Sequence, residues 1–285
     1  MFGRLDRSSD PRFEPVHVRP KYQLGQNFLS DPDALDQVVA AADLHGTETV
    51  VEVGAGTGLL TNRLKDVAAQ VVAIELDREL VPELTERFAG DQNVTVQHGD
   101  ILETDPGGFP DRYVVVANVP YYITSKIIRH FLESTHRPQA LTVTIQHEVA
   151  ERITAHPPKM SLLAVSVQLY GKPQIIGRIS RQAFWPSPDV DSAILRVEPI
   201  LDASAINTKL GNLSENHFFQ VARAGFADKR KQLHNSLGRH LDLSHQEATT
   251  LLERVEIAPD RRAETLAVDE WVQLGHAYRD YRDRR

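Results

Sequence analysis

A short apolar run, Val50-Val51-Glu52-Val53, leads straight into Gly54-Ala55-Gly56-Thr57-Gly58 and then into a helical pattern. This junction limits the possible folds more than any other stretch of the chain. Alternating glycines between a strand and a helix mark the first strand-to-helix turn of an α/β sheet, the place where such sheets bind nucleotides. Glycine is needed there because a side chain would block close approach of the backbone to a ligand, and because the turn requires positive φ. Further runs at Gln70–Leu76, Asn93–Gln97, Tyr113–Ala117 and Leu141–Ile145 read as strands. Helical patterns near Gly58–Asp66, Asp77–Ala89 and Thr124–Ser134 alternate with them. Strands this rich in Val and Ile, separated by helices, predict a parallel sheet buried on both faces. Ahead of them, Ser30-Asp31-Pro32 offers a cap and a first-turn proline for a helix running to about Ala42.

The second half of the chain is patterned differently. Glu148–Ala155 reads as helix, whereas Ser161–Tyr170 is apolar without a clean period and is open between helix and strand. Strand signals return at Gln174–Ile179 and Asp191–Val197, punctuated by Pro173, Pro186, Pro188 and Pro199, which suits an antiparallel hairpin at a sheet edge. From about Leu201 the patterns are helical, including Asn216–Ala227, Lys229–Leu241, His245–Val255 and Asp269–Tyr281. The expected organisation is an N-terminal tail (1–20), a Rossmann-like α/β domain (21–200) and a smaller all-helical domain (201–285).

Composition narrows the chemistry. The 285 residues include no Cys, which removes disulfide and thiol chemistry and suits a reducing compartment. Met1–Pro20 mixes basic and acidic residues with no apolar run, and no stretch approaches the roughly 20 apolar residues of a membrane span. A cytoplasmic, membrane-free protein is expected. A net charge of −7 argues against a phosphate-rich partner. Its distribution does not: Arg223, Lys229-Arg230-Lys231 and Arg239 form one concentrated basic stretch, with Asp228 its single acid. That stretch is either an RNA-binding surface, through Arg223, Lys229, Arg230 and Lys231, or a solvated helix face.

Three features fix the expected cofactor. The G-x-G-x-G spacing of Gly54, Gly56 and Gly58 lacks the third position of the dinucleotide fingerprint. Glu75, at the end of the next strand, is placed to accept both ribose hydroxyls of an adenosine moiety. Asp100, after the third strand, is placed for the adenine amine. Together they favour a nucleoside cofactor that is not phosphorylated. The fourth strand ends in Asn118-Val119-Pro120-Tyr121. The exocyclic nitrogen of adenine is a poor nucleophile because its lone pair is delocalised into the ring. The Asn118 side-chain oxygen and the Val119 carbonyl would accept its two hydrogens, Pro120 would fix the turn, and Tyr121 would stack on the base. Positioning against the sulfonium would supply most of the catalysis, with no strong general base. The plainer alternative is an ordinary turn capped by Thr124.

With these motifs the chain resembles the small-subunit ribosomal RNA adenine dimethyltransferases, relatives of the Erm methyltransferases, from about Lys21 to Trp271. The resemblance rests on Gly25-Gln26-Asn27-Phe28-Leu29, Val51 through Gly58, Ile74-Glu75-Leu76-Asp77, Asn118 through Tyr121, Phe184 through Ala193, Gln146 through Arg152 and Arg261 through Leu266. It implies a Rossmann-like S-adenosylmethionine-dependent domain and methylation of two adjacent adenosines in the terminal hairpin of small-subunit RNA, late in subunit assembly. It also implies that Asn27 and Leu29 join Gly54, Gly56, Glu75, Asp100 and Asn118 at the cofactor, that Tyr121 and Phe184 sandwich the base, and that the helical domain contacts RNA. Trp185 is expected to pack. The partner is an immature small subunit and the enzyme a monomer. Val119, Tyr122 and Asp189 depart from the pattern, where Leu, Asn and Lys are commoner. Gln146-His147-Glu148 starts like a zinc-protease motif, but Glu151 holds the second His position, so no metal is expected. An Erm-type enzyme acting on large-subunit RNA, and a non-catalytic assembly factor, are the alternatives.

Overall fold

The computed structural model describes residues 19–284. Most of the expected N-terminal tail therefore lies outside the described residues. The chain divides into two compact units, residues 1–150 with 174–200, and residues 151–173 with 201–285.

The first unit is built on a seven-stranded sheet. Its strands are β2 (Thr49–Val53), β3 (Gln70–Glu75), β4 (Val94–His98), β5 (Tyr113–Asn118), β6 (Leu141–Gln146), β7 (Gly171–Ile179) and β9 (Ser192–Ile200). Their order is β4-β3-β2-β5-β6-β9-β7. The first five run parallel, and β9 enters antiparallel to β6. The two late strands are thus neighbours as expected, with β7 at the sheet edge and β9 inside it. A separate two-stranded ribbon joins β1 (Phe28–Leu29) to β8 (Phe184–Trp185).

Four helices follow from the sequence signals. Helix α1 (Pro32–Ala42) starts at Asp31, whose carboxylate accepts from the Ala34 N–H, a cap worth about 1 kcal/mol. Its last carbonyls, at Ala41 and Ala42, accept from the buried Arg196 guanidinium. Helices α2 (Leu59–Leu64) and α3 (Val81–Arg87) follow β2 and β3, and α4 (Thr124–Leu132) follows β5. Val50, Val71, Ala73, Val114 and Val116 join residues of α1, α2 and α3 in one buried cluster. Side chains alternate along a strand, so Tyr113, Val115 and Ala117 face the other way. They too are fully buried, and the Tyr113 ring lies 6.4 Å from that of Phe131 on α4. Both sheet faces are covered, as the unbroken apolar strands require.

The second unit is helical apart from the first residues of β7. It contains the second half of α5 (His147–Thr154), then α6 (Leu162–Gln168), α7 (Ala203–Leu210), α8 (Glu215–Phe226), α9 (Leu233–His240), α10 (His245–Glu253) and α11 (Val268–Arg282). The segment whose type was open is therefore helix α6, capped by Ser161 accepting from Ala164 N–H. It groups with the helices after residue 201 because the Tyr170 hydroxyl donates to Glu215, Lys209 donates to the Gln168 and Leu169 carbonyls, and Leu201 N–H reaches Tyr170 O.

Candidate active site

The sheet register assembles the site. Strand β2 lies between β3 and β5, where the strand order reverses, and Val53 is level with Ile74 on one side and Ala117 on the other. Gly54, Glu75 and Asn118 are the next residues of their strands. They stand side by side at the carboxyl edge, the switch point where open α/β sheets form a ligand crevice. Gly54, Gly56 and Gly58 all have positive φ. A Cβ on Gly54 would lie 3.4 Å from the Asn118 carbonyl oxygen, and one on Gly56 would lie 3.1 Å from the Phe28 ring. Positive φ at all three glycines, and the crowding of the Phe28 ring at Gly56, disfavour a side chain at these positions.

A cleft of about 910 Å³, counted to its open mouth, runs over this edge and is lined by Asn27, Leu29, Gly54, Gly56, Glu75, Asp100 and Asn118. Every residue expected at the cofactor is thus in one cavity. Glu75 is buried, and its carboxylate accepts from the Gly56 N–H at 2.7 Å and the Asp77 N–H at 2.8 Å. Burial pushes its pKa up against those hydrogen bonds. Asp100 accepts from the Leu102 N–H, which fixes its side chain at the cleft wall. The Asn118 amide nitrogen donates to the Asn27 carbonyl at 3.5 Å, leaving the side-chain oxygen as an acceptor. Beneath the loop, Glu52 is fully buried with neither carboxyl oxygen hydrogen-bonded, and desolvation, reinforced by the Glu75 charge, pushes its pKa up to about 8. At neutral pH it is held as the neutral acid.

The expected packing of Trp185 needs correction. Phe184 is 4% exposed and packs in the core, whereas Trp185 is 53% exposed. Alternation along β8 sends the two rings to opposite sides, so the Trp185 ring expected to pack is outside. Neither Phe184 nor Tyr121 lines the cleft, which Tyr122 does. The half-buried Tyr121 is held by its hydroxyl, 2.7 Å from Ser192 Oγ on β9. Thr124 does not cap α4 with its side chain. Helix α4 begins at Thr124 itself, whose hydroxyl donates back to the Pro120 carbonyl and braces the turn.

The basic stretch lies in the helical unit. Arg223 is on the last turn of α8, with its guanidinium 5.9 Å from the Phe219 ring centre. Lys229-Arg230-Lys231 is not helical, contrary to the pattern that began a helix at Lys229. It forms an exposed turn before α9, with Lys231 N–H bonded to Asp228 O. Asp228 is paired with Arg239 and His240. No helix among the described residues is long and apolar enough to cross a membrane, and no group of three or more His, Asp or Glu there could hold a metal ion.

The family model described as ribosomal RNA adenine dimethylase matches residues 18–280. This chain belongs to that family. Among its relatives in the ribosomal RNA adenine dimethylase family is "Ribosomal RNA small subunit methyltransferase A" of Dehalococcoides mccartyi, 44% identical over 268 residues, covering 93% of this chain and 90% of the relative. The protein of the same name from Clostridium botulinum is 38% identical over 262 residues, covering 90% and 93%. A dimethyladenosine transferase from Plasmodium falciparum has a similar structure, with TM-score 0.73, 26% identity and coverage of 89% and 98%. The 23S rRNA methyltransferase ErmE matches with TM-score 0.67, 27% identity and coverage of 88% and 99%. These likenesses span both units and bear out the Rossmann-like methyltransferase fold. Sequence reasoning missed Lys21, Gln26 and Asp77, which bond to one another beside the cleft. The available signal was their position inside or next to the motifs that supply Asn27 and Glu75.

Proposed function

We propose that this protein uses S-adenosylmethionine to dimethylate the N6 amino groups of two adjacent adenosines in the 3′-terminal hairpin loop of small-subunit (16S) ribosomal RNA, within an immature subunit. It would act as a cytoplasmic monomer. One observation carries this reading: Asn118 stands at the sheet edge beside Gly54 and Glu75, in a chain 44% identical to a relative named for small-subunit methylation.

The residues present fit the cofactor. Glu75 is a buried carboxylate whose two backbone donors leave further lone pairs free for ribose hydroxyls. The glycine loop offers bare backbone, and Asp100 offers an acceptor for an adenine amine. When bound, S-adenosylmethionine supplies an electrophilic methyl group. The protein's own task is to localise and aim the amine lone pair. Asn118 would accept one amino hydrogen through its side-chain oxygen, and the Val119 carbonyl would accept the other. Pro120 and the Thr124 hydroxyl hold the turn that presents them. Tyr121, tethered through Ser192, would offer its ring to the base. The amine becomes acidic once methylated, so its proton can pass to solvent. Arg223, Lys229, Arg230 and Lys231 would contact RNA phosphates.

Replacing Asn118 tests this arrangement. At saturating cofactor and RNA, with binding of each measured separately, Asn118→Ala is expected to slow methyl transfer by at least about 100-fold, the scale on which misplacing a reacting group slows a reaction. Transfer at the wild-type rate would refute the mechanism. The structural likeness to ErmE supports a second reading, methylation of large-subunit RNA by the same chemistry.

A further inference from the structure

Gln26 and Asp77 sit inside the two motifs that supply Asn27, Leu29 and Glu75, yet methyl transfer gives them no task. Asp77 is only 3% exposed. One of its carboxylate oxygens accepts from Lys21 Nζ at 2.7 Å and the Glu79 N–H at 3.0 Å; the other accepts from Gln26 Nε2 at 3.0 Å. Gln26 in turn accepts from the Lys21 N–H at 2.7 Å, closing a ring of three residues. Lys21 also pairs with the exposed Glu79 at 3.0 Å. The Asp77 N–H completes the set by donating to Glu75.

This ring holds a segment that forms one wall of the cleft. Leu24, Gln26 and Asn27 line the cavity on that side. Gly25, at φ +60°, lies so close to the acceptor turn that a Cβ would come within 3.0 Å of the Tyr122 ring and 3.3 Å of the Pro120 Cβ. At its far end, the Asn27 carbonyl accepts from Asn118, and β1 pairs with β8. Without the ring, residues 21–27 would keep the packing of Gly25 against the acceptor turn, the exposed Lys21–Glu79 pair and the far-end contacts.

We infer that Asp77 is the clasp of the cofactor cleft: through Lys21 and Gln26 it fastens segment 21–27 over the site, and through its N–H it orients the Glu75 carboxylate. It is a positioning residue, because it acts on the cofactor only through these partners. A buried carboxylate is costly unless it is paired, and here Lys21, Gln26 and the Glu79 N–H supply the pairing. The inference rests on the cofactor reading proposed above and adds that affinity for the cofactor depends on a side chain outside the cavity lining.

Lys21, partly exposed and outside that lining, is the residue to change. Amide hydrogen exchange across residues 22–29 and equilibrium binding of S-adenosylhomocysteine would be measured for wild type, Lys21→Ala, Lys21→Arg and Asp77→Asn. Lys21→Ala is expected to speed exchange in that segment and weaken binding by about tenfold, the effect of losing a charged hydrogen bond. KM for S-adenosylmethionine should rise with kcat retained, and Lys21→Arg should restore most of the affinity. Asp77→Asn, which weakens all three side-chain contacts, should weaken binding at least as much. Wild-type affinity in Lys21→Ala, whether or not exchange quickens, would overturn the clasp. Failure of the wild-type protein to bind S-adenosylhomocysteine would instead overturn the cofactor reading on which it rests.

Discussion

Glu52 combines two properties that a strand rarely joins in one side chain: full burial and no hydrogen-bond partner for its carboxyl. Its pKa, about 8 in the fold against 4.5 for a free side chain, makes the native state hold a proton that the unfolded chain releases. The folded form thus binds more protons across that window, so the Glu52 contribution falls as pH rises from about 4.5 and levels off above about 8. Glu52→Gln removes this proton linkage. Its stability relative to wild type, read from urea midpoints, is expected to rise with pH through that window; parallel profiles would contradict the burial account. The cleft-lining residues nearby were legible because strand ends expose them in order: Gly54, Glu75, Asp100 and Asn118. Asp77 was not, because a carboxylate two positions past Glu75 looks like surface until the fold brings Lys21 and Gln26 to it.

Helices α8 and α11 pack so closely that a Cβ on Gly225 would lie 2.3 Å from Trp271 Cη2, and Trp271 is fully buried. Gly225→Ala should overpack this contact and cost about 1–3 kcal/mol, visible as a lower Tm. Gly90→Ala, where nothing lies within 4 Å of the added carbon, is the control and should change stability by less than about 0.5 kcal/mol. An unchanged Tm for Gly225→Ala would mean that the two helices yield. Sequence period identified the long elements well, since α1, β2 and β5 carry caps or unbroken apolar runs. It failed where the pattern is too short or too uniform. Strand β8 has two residues, so no alternation could show that Phe184 points inward and Trp185 outward. Ser161–Tyr170 is apolar without a clean period, and the Ser161 cap and its contacts within the helical unit make it a helix. The expected start of α9 was four residues early because Lys and Arg suit helices, whereas Lys229–Lys231 folds as a turn.

Across the molecule, net charge is a poor guide to partners. The total is −7, yet the helical unit carries an exposed turn of three successive cations beside Arg223. Replacing Lys229, Arg230 and Lys231 by Gln is expected to weaken RNA binding across sequences. It should also flatten the dependence of log K on log salt, by roughly 0.7–0.9 for each phosphate that is no longer neutralised. An unchanged slope would leave the turn as a solvated surface. The choice of RNA is the central claim, because the chemistry proposed for the sheet edge would serve either RNA equally. Its direct test is to offer the protein labelled S-adenosylmethionine with immature small subunits and, separately, naked large-subunit RNA, and to map the modified bases. The expected result is N6,N6-dimethyladenosine at two adjacent positions in the 3′-terminal hairpin of the small-subunit RNA. Methylation confined to large-subunit RNA would contradict it.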